Sequence, residues 1–173
     1  PKDLVVTVSN LSLNQVEYKS ISDFDYDEFC EWIWISCNYI PFMSLVRKNG
    51  CEYADGGLGS MVPIEEAIRR GATEVDAIVL HTEGTHLNRT RARNAFSLMT
   101  NMFAFMLDRI EQQNIKIGKF VASNQNALIN FYYTPTILTT NSLIFDKEQM
   151  TQWWERGFQY AASKSEQASE LEP

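Results

Sequence analysis

The chain has 173 residues, of which 45% are hydrophobic and 21% are charged, and this is the size and composition of about one ordinary globular domain. Eight glycines and five prolines are too few for a disordered or collagen-like chain, and no apolar run approaches the roughly 20 residues needed to cross a bilayer. The 22 acidic residues outnumber the 15 basic ones, and the net charge of −7 argues against nucleic acid as the main partner.

The first third of the chain predicts a hairpin followed by a helix. A β-branched apolar run predicts a strand over Leu4–Val8, and an alternating stretch predicts a second strand over Val16–Tyr18. The acidic residues between positions 23 and 28 suit a helix N-terminus, and we expect this helix to end at Pro41. Its predicted core-facing side chains recur at helical spacing: Phe29, Trp32, Ile33, Ser36, Cys37 and Ile40.

A second hairpin and a short helix come next. The segment Lys48-Asn49-Gly50 predicts the hairpin turn, because glycine adopts positive φ without strain. Pro63 at the start, acids in the first turn and Gly71 at the stop predict a two-turn helix. Val75–Leu80 then predicts a buried strand, and this strand-helix-strand order favours an α/β sheet.

The C-terminal half predicts two longer helices, over Thr90–Gln113 and Lys147–Lys164, with short strands at Lys119–Ala122 and Ile137–Leu138. The apolar side chains expected to face the core are Ala95, Leu98, Met99, Met102, Phe103, Phe105, Met106 and Ile110 in the first helix, and Met150, Trp153, Trp154, Phe158 and Ala161 in the second. Because methionine is an adaptable side chain, a lipid or a partner protein is the alternative occupant of the first face.

Cysteine and histidine usage predicts no cofactor. Cys30, Cys37 and Cys51 contain no Cys-x-x-Cys pair, and no histidine lies nearby at metal-ligand spacing. We expect buried or half-buried thiols, no metal ion, and a reducing compartment such as the cytoplasm. His81 and His86, five residues apart in a predicted loop, are interpreted as solvated or hydrogen-bonded side chains, since a metal site would need a third ligand.

The densest candidate site is the glycine-rich segment that contains Asp55, Gly56 and Gly57. An aspartate that leaves a strand into such a turn lies where active-site groups of α/β proteins commonly collect. A bare Asp-Gly-Gly is also a frequent plain turn, so the residues alone leave both interpretations open. The phosphate-binding patterns Gly-x-x-x-x-Gly-Lys-Ser and Gly-x-Gly-x-x-Gly after a strand are absent.

The order of motifs between Ile35 and Leu80 resembles the second half of patatin-like phospholipase domains. The motifs are the helix end Ile35-Ser36-Cys37-Asn38-Tyr39-Ile40-Pro41-Phe42, the turn Tyr53-Ala54-Asp55-Gly56-Gly57 and the helix start Val62-Pro63-Ile64. The segments 4–20 and 145–157 also resemble the flanks of that family. The resemblance implies an α/β fold in which residues 1–164 form the C-terminal part of a three-layer domain, with a central mostly parallel sheet and flanking helices. Residues 165–173 are expected to form a disordered acidic tail.

The resemblance also implies a function. Family members hydrolyse acyl esters of lipids with a Ser-Asp dyad, so Asp55 would be the base and Gly56 and Gly57 would hold its turn. A phospholipid or another acyl lipid would be the substrate, with peripheral membrane contact and no nucleic acid. The sequence contains no Gly-x-Ser-x-Gly and no glycine-rich oxyanion loop, and the chain begins at Pro1. We therefore expect the nucleophile in an N-terminal portion of the same domain, and no activity from this chain alone.

Three points remain open at the level of sequence. Met61 stands where plant-like members of the family usually carry asparagine. Arg89, Arg91 and Arg93 are interpreted as a solvated basic turn, with lipid headgroups as the alternative partner. A non-catalytic interaction module with a patatin-like shape, or a different α/β enzyme with a similar turn, are the alternative functions.

Overall fold

The structure of the chain is a computed structural model that describes residues 2–40, 42–83, 91–138 and 145–169, without the side chains of 164–169. His86, Arg89 and the last four residues of the expected tail lie outside the described residues. The chain divides into two compact units. Unit 1 comprises Pro1–Val75 and Arg91–Leu128, and unit 2 comprises Asp76–Thr90 and Ile129–Pro173.

Unit 1 contains a four-stranded sheet with the order β2-β1-β4-β3. Its strands are β1 (Val5–Asn10), β2 (Gln15–Ser20), β3 (Val46–Lys48) and β4 (Cys51–Asp55). Both predicted hairpins are confirmed, with Val5 opposite Ser20 and Val46 opposite Tyr53. Asn49 and Gly50 have φ of 51° and 77°, and two such residues are what a two-residue hairpin turn requires.

The expectation of a mixed α/β protein is confirmed, but the mostly parallel sheet is wrong for these four strands. Every pairing is antiparallel: β1 with β2, β1 with β4, and β3 with β4. For the two hairpins the physical reason is connectivity, because a strand that returns through a turn of a few residues can pair only in the antiparallel direction. The described residues do not show a three-layer arrangement.

The helix α1 (Tyr26–Ser36) packs against this sheet, and the hydrophobic core of unit 1 lies between the two. The Asp25 side chain accepts a 2.8 Å hydrogen bond from the Glu28 N–H and caps the helix. Trp32 packs edge to face on Tyr53 of β4 at a centroid distance of 5.1 Å, and the Lys19 ammonium lies 4.4 Å from the Trp32 ring. The aromatic core of this unit is therefore built between α1 and the strand that carries Asp55.

The predicted face of α1 is partly wrong. Phe29 and Trp32 are buried as expected, but the third buried residue is Ile35, whereas Ile33 and Cys37 are exposed. The helix ends at Ser36 rather than at Pro41. Only a narrow stripe meets the sheet, so the side chains at its margin stay in solvent.

Two helices complete unit 1. The short helix α2 (Ile64–Arg69) buries Ile64 and Ile68 and stops at Gly71, whose φ of 101° confirms the predicted glycine stop. The long helix α3 spans Ala95–Gln125 and packs against α2. It continues through the strand predicted at 119–122, because the small residues Gly118 and Ala122 extend its buried face instead of ending it.

The predicted core stripe of α3 is wrong. Leu98, Met99, Met102 and Met106 are each more than half exposed. The residues that α3 buries lie on its opposite side: Leu107, Glu111, Gly118 and Ala122. The apolar stripe in the sequence thus marks the outward side of this helix in the described structure.

Unit 2 contains most of a two-stranded sheet and the last helix. The sheet pairs β5 (Glu74–Val79) with β6 (Leu128–Tyr133), and the Asn130 amide donates a 2.9 Å hydrogen bond to Asp76 across it. Of the strand β5, only Ala77 and Val79 are buried, so the prediction of a buried strand is confirmed for these two residues and is wrong for the rest. The strand β6 was not predicted, and residues 137–138 form no strand.

The helix α4 spans Lys147–Ser169 and extends five residues into the segment expected to be a disordered tail. Most of its predicted inward residues are exposed, namely Met150, Trp154, Phe158 and Ala161, and only Trp153 is partly buried. No helix among the described residues is long and apolar enough to span a membrane.

Candidate active site

The structure places Asp55 at the end of the central strand β4, where the chain enters a short 3-10 turn over Gly56–Leu58. Its backbone is fixed from two sides. Val8 of β1 lies opposite Asp55 in the sheet, and the Asp55 N–H donates a 3.0 Å hydrogen bond to the Asn38 carbonyl. The side chain therefore projects from a rigid strand terminus.

The Asp55 carboxylate is half-buried and has one hydrogen bond among the described residues. Its Oδ1 accepts from the Gly57 N–H at 2.7 Å. Burial raises the pKa of Asp55, and the Gly57 hydrogen bond only partly opposes this. The pKa of Tyr39 is also raised, first by burial and then by the negative charge of Asp55. Oδ2 is thus a partly desolvated acceptor.

The two glycines allow the backbone to come close to its neighbours. A Cβ on Gly56 would overlap the Thr7 carbonyl of β1, so no side chain fits there. A Cβ on Gly57 would lie 3.0 Å from Asp55 Oδ1 and 3.4 Å from the methyl carbon of Met61. Neither glycine has positive φ, so their role is steric and not conformational.

A cavity of about 370 Å³ lies beside Asp55, entirely within unit 1. Its polar side chains besides Asp55 are Thr7, Ser36, Tyr39 and Ser60. Its apolar walls come from Val5, Val6, Leu58, Met61, Pro63 and Leu107. The Tyr18 hydroxyl donates to Ser60 Oγ at 3.1 Å, and no serine among the described residues forms a hydrogen bond with Asp55.

Helix α3 braces the loop that follows Asp55. Asn114 Oδ1 accepts hydrogen bonds from the N–H groups of Met61 at 2.8 Å and Val62 at 3.4 Å. Leu107 of the same helix lines the cavity. The sequence had not assigned a role to either residue, because no local pattern marks a contact between positions more than 50 residues apart.

His81, Arg91 and Arg93, the other candidate residues that the structure describes, do not line this cavity. The Nδ1 atom of His81 lies 3.1 Å from the Thr82 carbonyl oxygen, and the centroid of its ring lies 6.0 Å from that of Tyr133 in unit 2, with the two rings tilted by 32°. Arg91 and Arg93 are exposed in the segment before α3. Within the described ranges, no three His, Cys, Asp or Glu side chains are grouped so as to hold a metal ion.

All three cysteines are free thiols. Cys51 is half-buried as expected. Cys30 and Cys37 are exposed, so the expectation of buried thiols is wrong for these two, since both lie on the solvent side of α1 or at its end.

No curated protein matches the chain. The family model described as patatin-like phospholipase matches residues 1–68, which is less than half of the chain but includes Asp55, Gly56 and Gly57. The matched region contains the sheet of unit 1 and ends within α2, before Leu80 and before the segment 145–157. Over residues 1–68 the chain is similar to patatin-like phospholipases, and at the level of that family the match supports a lipid-hydrolase function.

Proposed function

We propose that this chain supplies the aspartate base of a lipid acyl hydrolase that works through a Ser-Asp dyad. The observation that carries the proposal is the placement of Asp55. It lies at the rigid end of β4 beside a cavity with partly apolar walls, with one carboxylate oxygen held by Gly57 and with a raised pKa. The family match over residues 1–68 includes this motif and adds support.

The chemistry requires a base next to a serine hydroxyl, which is a poor nucleophile until its proton is removed. Asp55 Oδ2 takes that proton while the serine oxygen bonds to the acyl carbonyl carbon. The proton then passes to the departing alcohol as the ester C–O bond breaks. Water hydrolyses the acyl-enzyme in a second, equivalent step. A carboxylate with a raised pKa is the stronger base for both proton transfers.

The apolar walls of the cavity favour an acyl chain as the group bound beside Asp55. Val5, Val6 and Leu107 offer hydrocarbon surface, and burying the methylene groups of a lipid against such surface is favourable by about 0.8 kcal/mol per group. We therefore assign a phospholipid or another acyl lipid as the substrate class.

We further propose that the serine and the oxyanion donors belong to an N-terminal portion of the same domain that is not among these 173 residues. The sequence contains no Gly-x-Ser-x-Gly, and no described serine is hydrogen-bonded to Asp55. The 173-residue chain alone should then fail to hydrolyse a short-chain nitrophenyl ester. Robust turnover would contradict this, and Ser36→Ala and Ser60→Ala would then identify the nucleophile from the cavity itself.

The decisive test is Asp55→Asn in the complete protein. Asparagine keeps the size of the side chain and the acceptor for Gly57 but removes the base, so turnover should fall by about 10²–10⁴-fold or more with no loss of thermal stability. Asp23→Asn, an exposed site with the same charge change, is the control and should retain activity. If Asp55→Asn kept most of its lipase activity, the dyad would be wrong and the non-catalytic interaction module would replace it.

A further inference from the structure

Helix α3 has an apolar and basic side that faces away from its packed side. We call this side the outer face and define it by Leu98, Met99, Met102, Phe105, Met106, Arg109, Lys116 and Phe120. At 100° per residue these positions fall within an arc of about 120°, on the far side of the helix from the buried Leu107 and Gly118. Each of the five apolar residues between Leu98 and Met106 is 52–58% exposed, and Phe120 is 69% exposed.

An apolar surface of this kind marks an interaction site. Monomeric soluble proteins rarely expose contiguous apolar patches larger than a few hundred Å². Five neighbouring side chains of the Leu, Met and Phe type, each more than half exposed and spread over about two and a half helical turns, reach that order of size. The occupant of the outer face must therefore accept flexible hydrocarbon side chains.

The charge around these side chains identifies the occupant. Residues 91–125 contain five basic residues and only two acidic ones, although the whole chain has a net charge of −7. The two acids are Asp108 and Glu111; Glu111 is buried and Asp108 lies outside the arc of the outer face. The exposed arginines Arg91 and Arg93 precede the helix on the chain. The outer face is thus an acid-free surface on an acidic protein.

A second copy of the chain is a poor occupant. Two outer faces placed against each other would bring Arg109 and Lys116 of one copy close to the same cations of the other, with no acid on either face to pair with them. An anionic lipid surface complements both properties. Phenylalanine, leucine and methionine enter the acyl boundary, while long basic side chains extend to the phosphates.

We propose that the outer face of α3 is the surface by which this protein docks on anionic lipid bilayers. The opposite side of the same helix contributes Leu107 to the cavity of Asp55 and Asn114 to the loop that follows it. The inference rests on the proposed function only in assigning docking a purpose, namely to hold that cavity at the lipid that contains its substrate. Docking itself needs no catalysis and is measured without it.

The test is cosedimentation of the full chain with vesicles of diether lipids, which cannot be hydrolysed at an ester. One set is diether phosphatidylcholine alone, and the other contains anionic diether phosphatidylglycerol. The double variant Leu98→Gln, Lys116→Glu changes the outer face. Its control, Leu13→Gln, Lys2→Glu, has the same composition and net charge, and Leu13 is 58% exposed against 52% for Leu98.

We expect binding to the anionic vesicles that weakens with added salt, and a loss of about tenfold or more in the outer-face variant but not in its control. Equal binding to neutral and anionic vesicles, or equal binding by the two double variants, would overturn the proposal. So would a stable dimer in light scattering that the outer-face variant dissociates while vesicle binding is absent. A lack of ester hydrolysis would leave the vesicle result unchanged, so the two proposals can fail separately.

Discussion

The raised pKa of Asp55 ties the chemistry of the site to the stability of the fold. An acid whose pKa is higher in the folded state holds its proton more tightly there, so ionising it costs folding free energy. The protonated Asp55 carboxyl therefore adds to the stability of the fold at low pH. This contribution is lost as pH rises from the ordinary pKa of an aspartate through the raised pKa.

Asp55→Asn should therefore gain melting temperature relative to the wild type across that window, because asparagine cannot ionise. Thermal unfolding of both proteins between about pH 3 and pH 7 measures the difference. The gain should vanish at the acidic end, where Asp55 is protonated in both states. Parallel melting curves over the whole range would show that burial does not penalise this carboxylate.

Gly56 makes the sharpest steric prediction of the turn. In Gly56→Ala the new methyl group would overlap the Thr7 carbonyl in the neighbouring strand, which is backbone and cannot rotate away. We expect a loss of at least about 2 kcal/mol in the free energy of unfolding. Gly157→Ala is the matched control: a Cβ there meets no atom within 4 Å, and alanine should stabilise α4 by up to about 1 kcal/mol. Chemical denaturation measures the unfolding free energy of both variants, which should fall in Gly56→Ala and rise in Gly157→Ala.

For individual residues, the sequence predicts the structure only where the interacting residues are close together in the chain. The turn of Asp55 could be predicted because a strand end, an acid and two glycines are adjacent in the chain. The proximity of Tyr39 and Leu107 to Asp55 could not be predicted, since Tyr39 reaches the cavity from the segment after α1 and Leu107 reaches it from α3. Which residues share a cavity is set by packing, and packing has no signature in one segment.

Among the elements, α3 holds the loop after Asp55 through the side chain of Asn114. Asn114 accepts from two consecutive backbone N–H groups in the loop after Asp55. Asn114→Ala removes this acceptor and should cost about 1–2 kcal/mol of unfolding free energy. Asn114→Asp keeps an oxygen at the same place and should retain most of the stability. If both variants lost equal stability, the two hydrogen bonds would not be what fixes this loop.

The same helix explains why element prediction was partly wrong. Periodicity detects an apolar stripe but not whether it faces protein, lipid or solvent. In α3 the stripe of methionines is exposed, and the buried side contains the small residues Gly118 and Ala122 and the acid Glu111, none of which a search for large apolar residues selects. The hairpins and α2 were predicted well, because turns and caps depend on glycine, proline and neighbouring charges.

Across the whole molecule, burial is unevenly distributed between the two units. Of the twelve buried hydrophobic residues in the described part of the chain, ten belong to unit 1, and the two in unit 2 are Ala77 and Val79. None of the described side chains of α4 is buried. Local opening needs the least free energy where few apolar contacts are lost.

Amide hydrogen exchange should therefore be slowest in β1, α1 and β4, and markedly faster in α4. The comparison is internal to one sample, because both helices are read from peptides of the same protein. Equal protection of α1 and α4 would mean that α4 is covered by contacts beyond those of the described residues. Sequence could not rank the units, because apolar residues are abundant in both.

The packing of Trp32 allows the folding of unit 1 to be followed by tryptophan fluorescence. Of the four tryptophans, Trp32 is 2% exposed against Tyr53, whereas Trp34 and Trp154 are 58% and 79% exposed and Trp153 is only partly buried. Replacing the other three with phenylalanine leaves the indole of Trp32 alone. This indole contacts Tyr53, which lies two residues before Asp55 in β4. Its emission spectrum would then report whether the strand that aims the carboxylate is folded, in the same cuvette in which ester hydrolysis is followed.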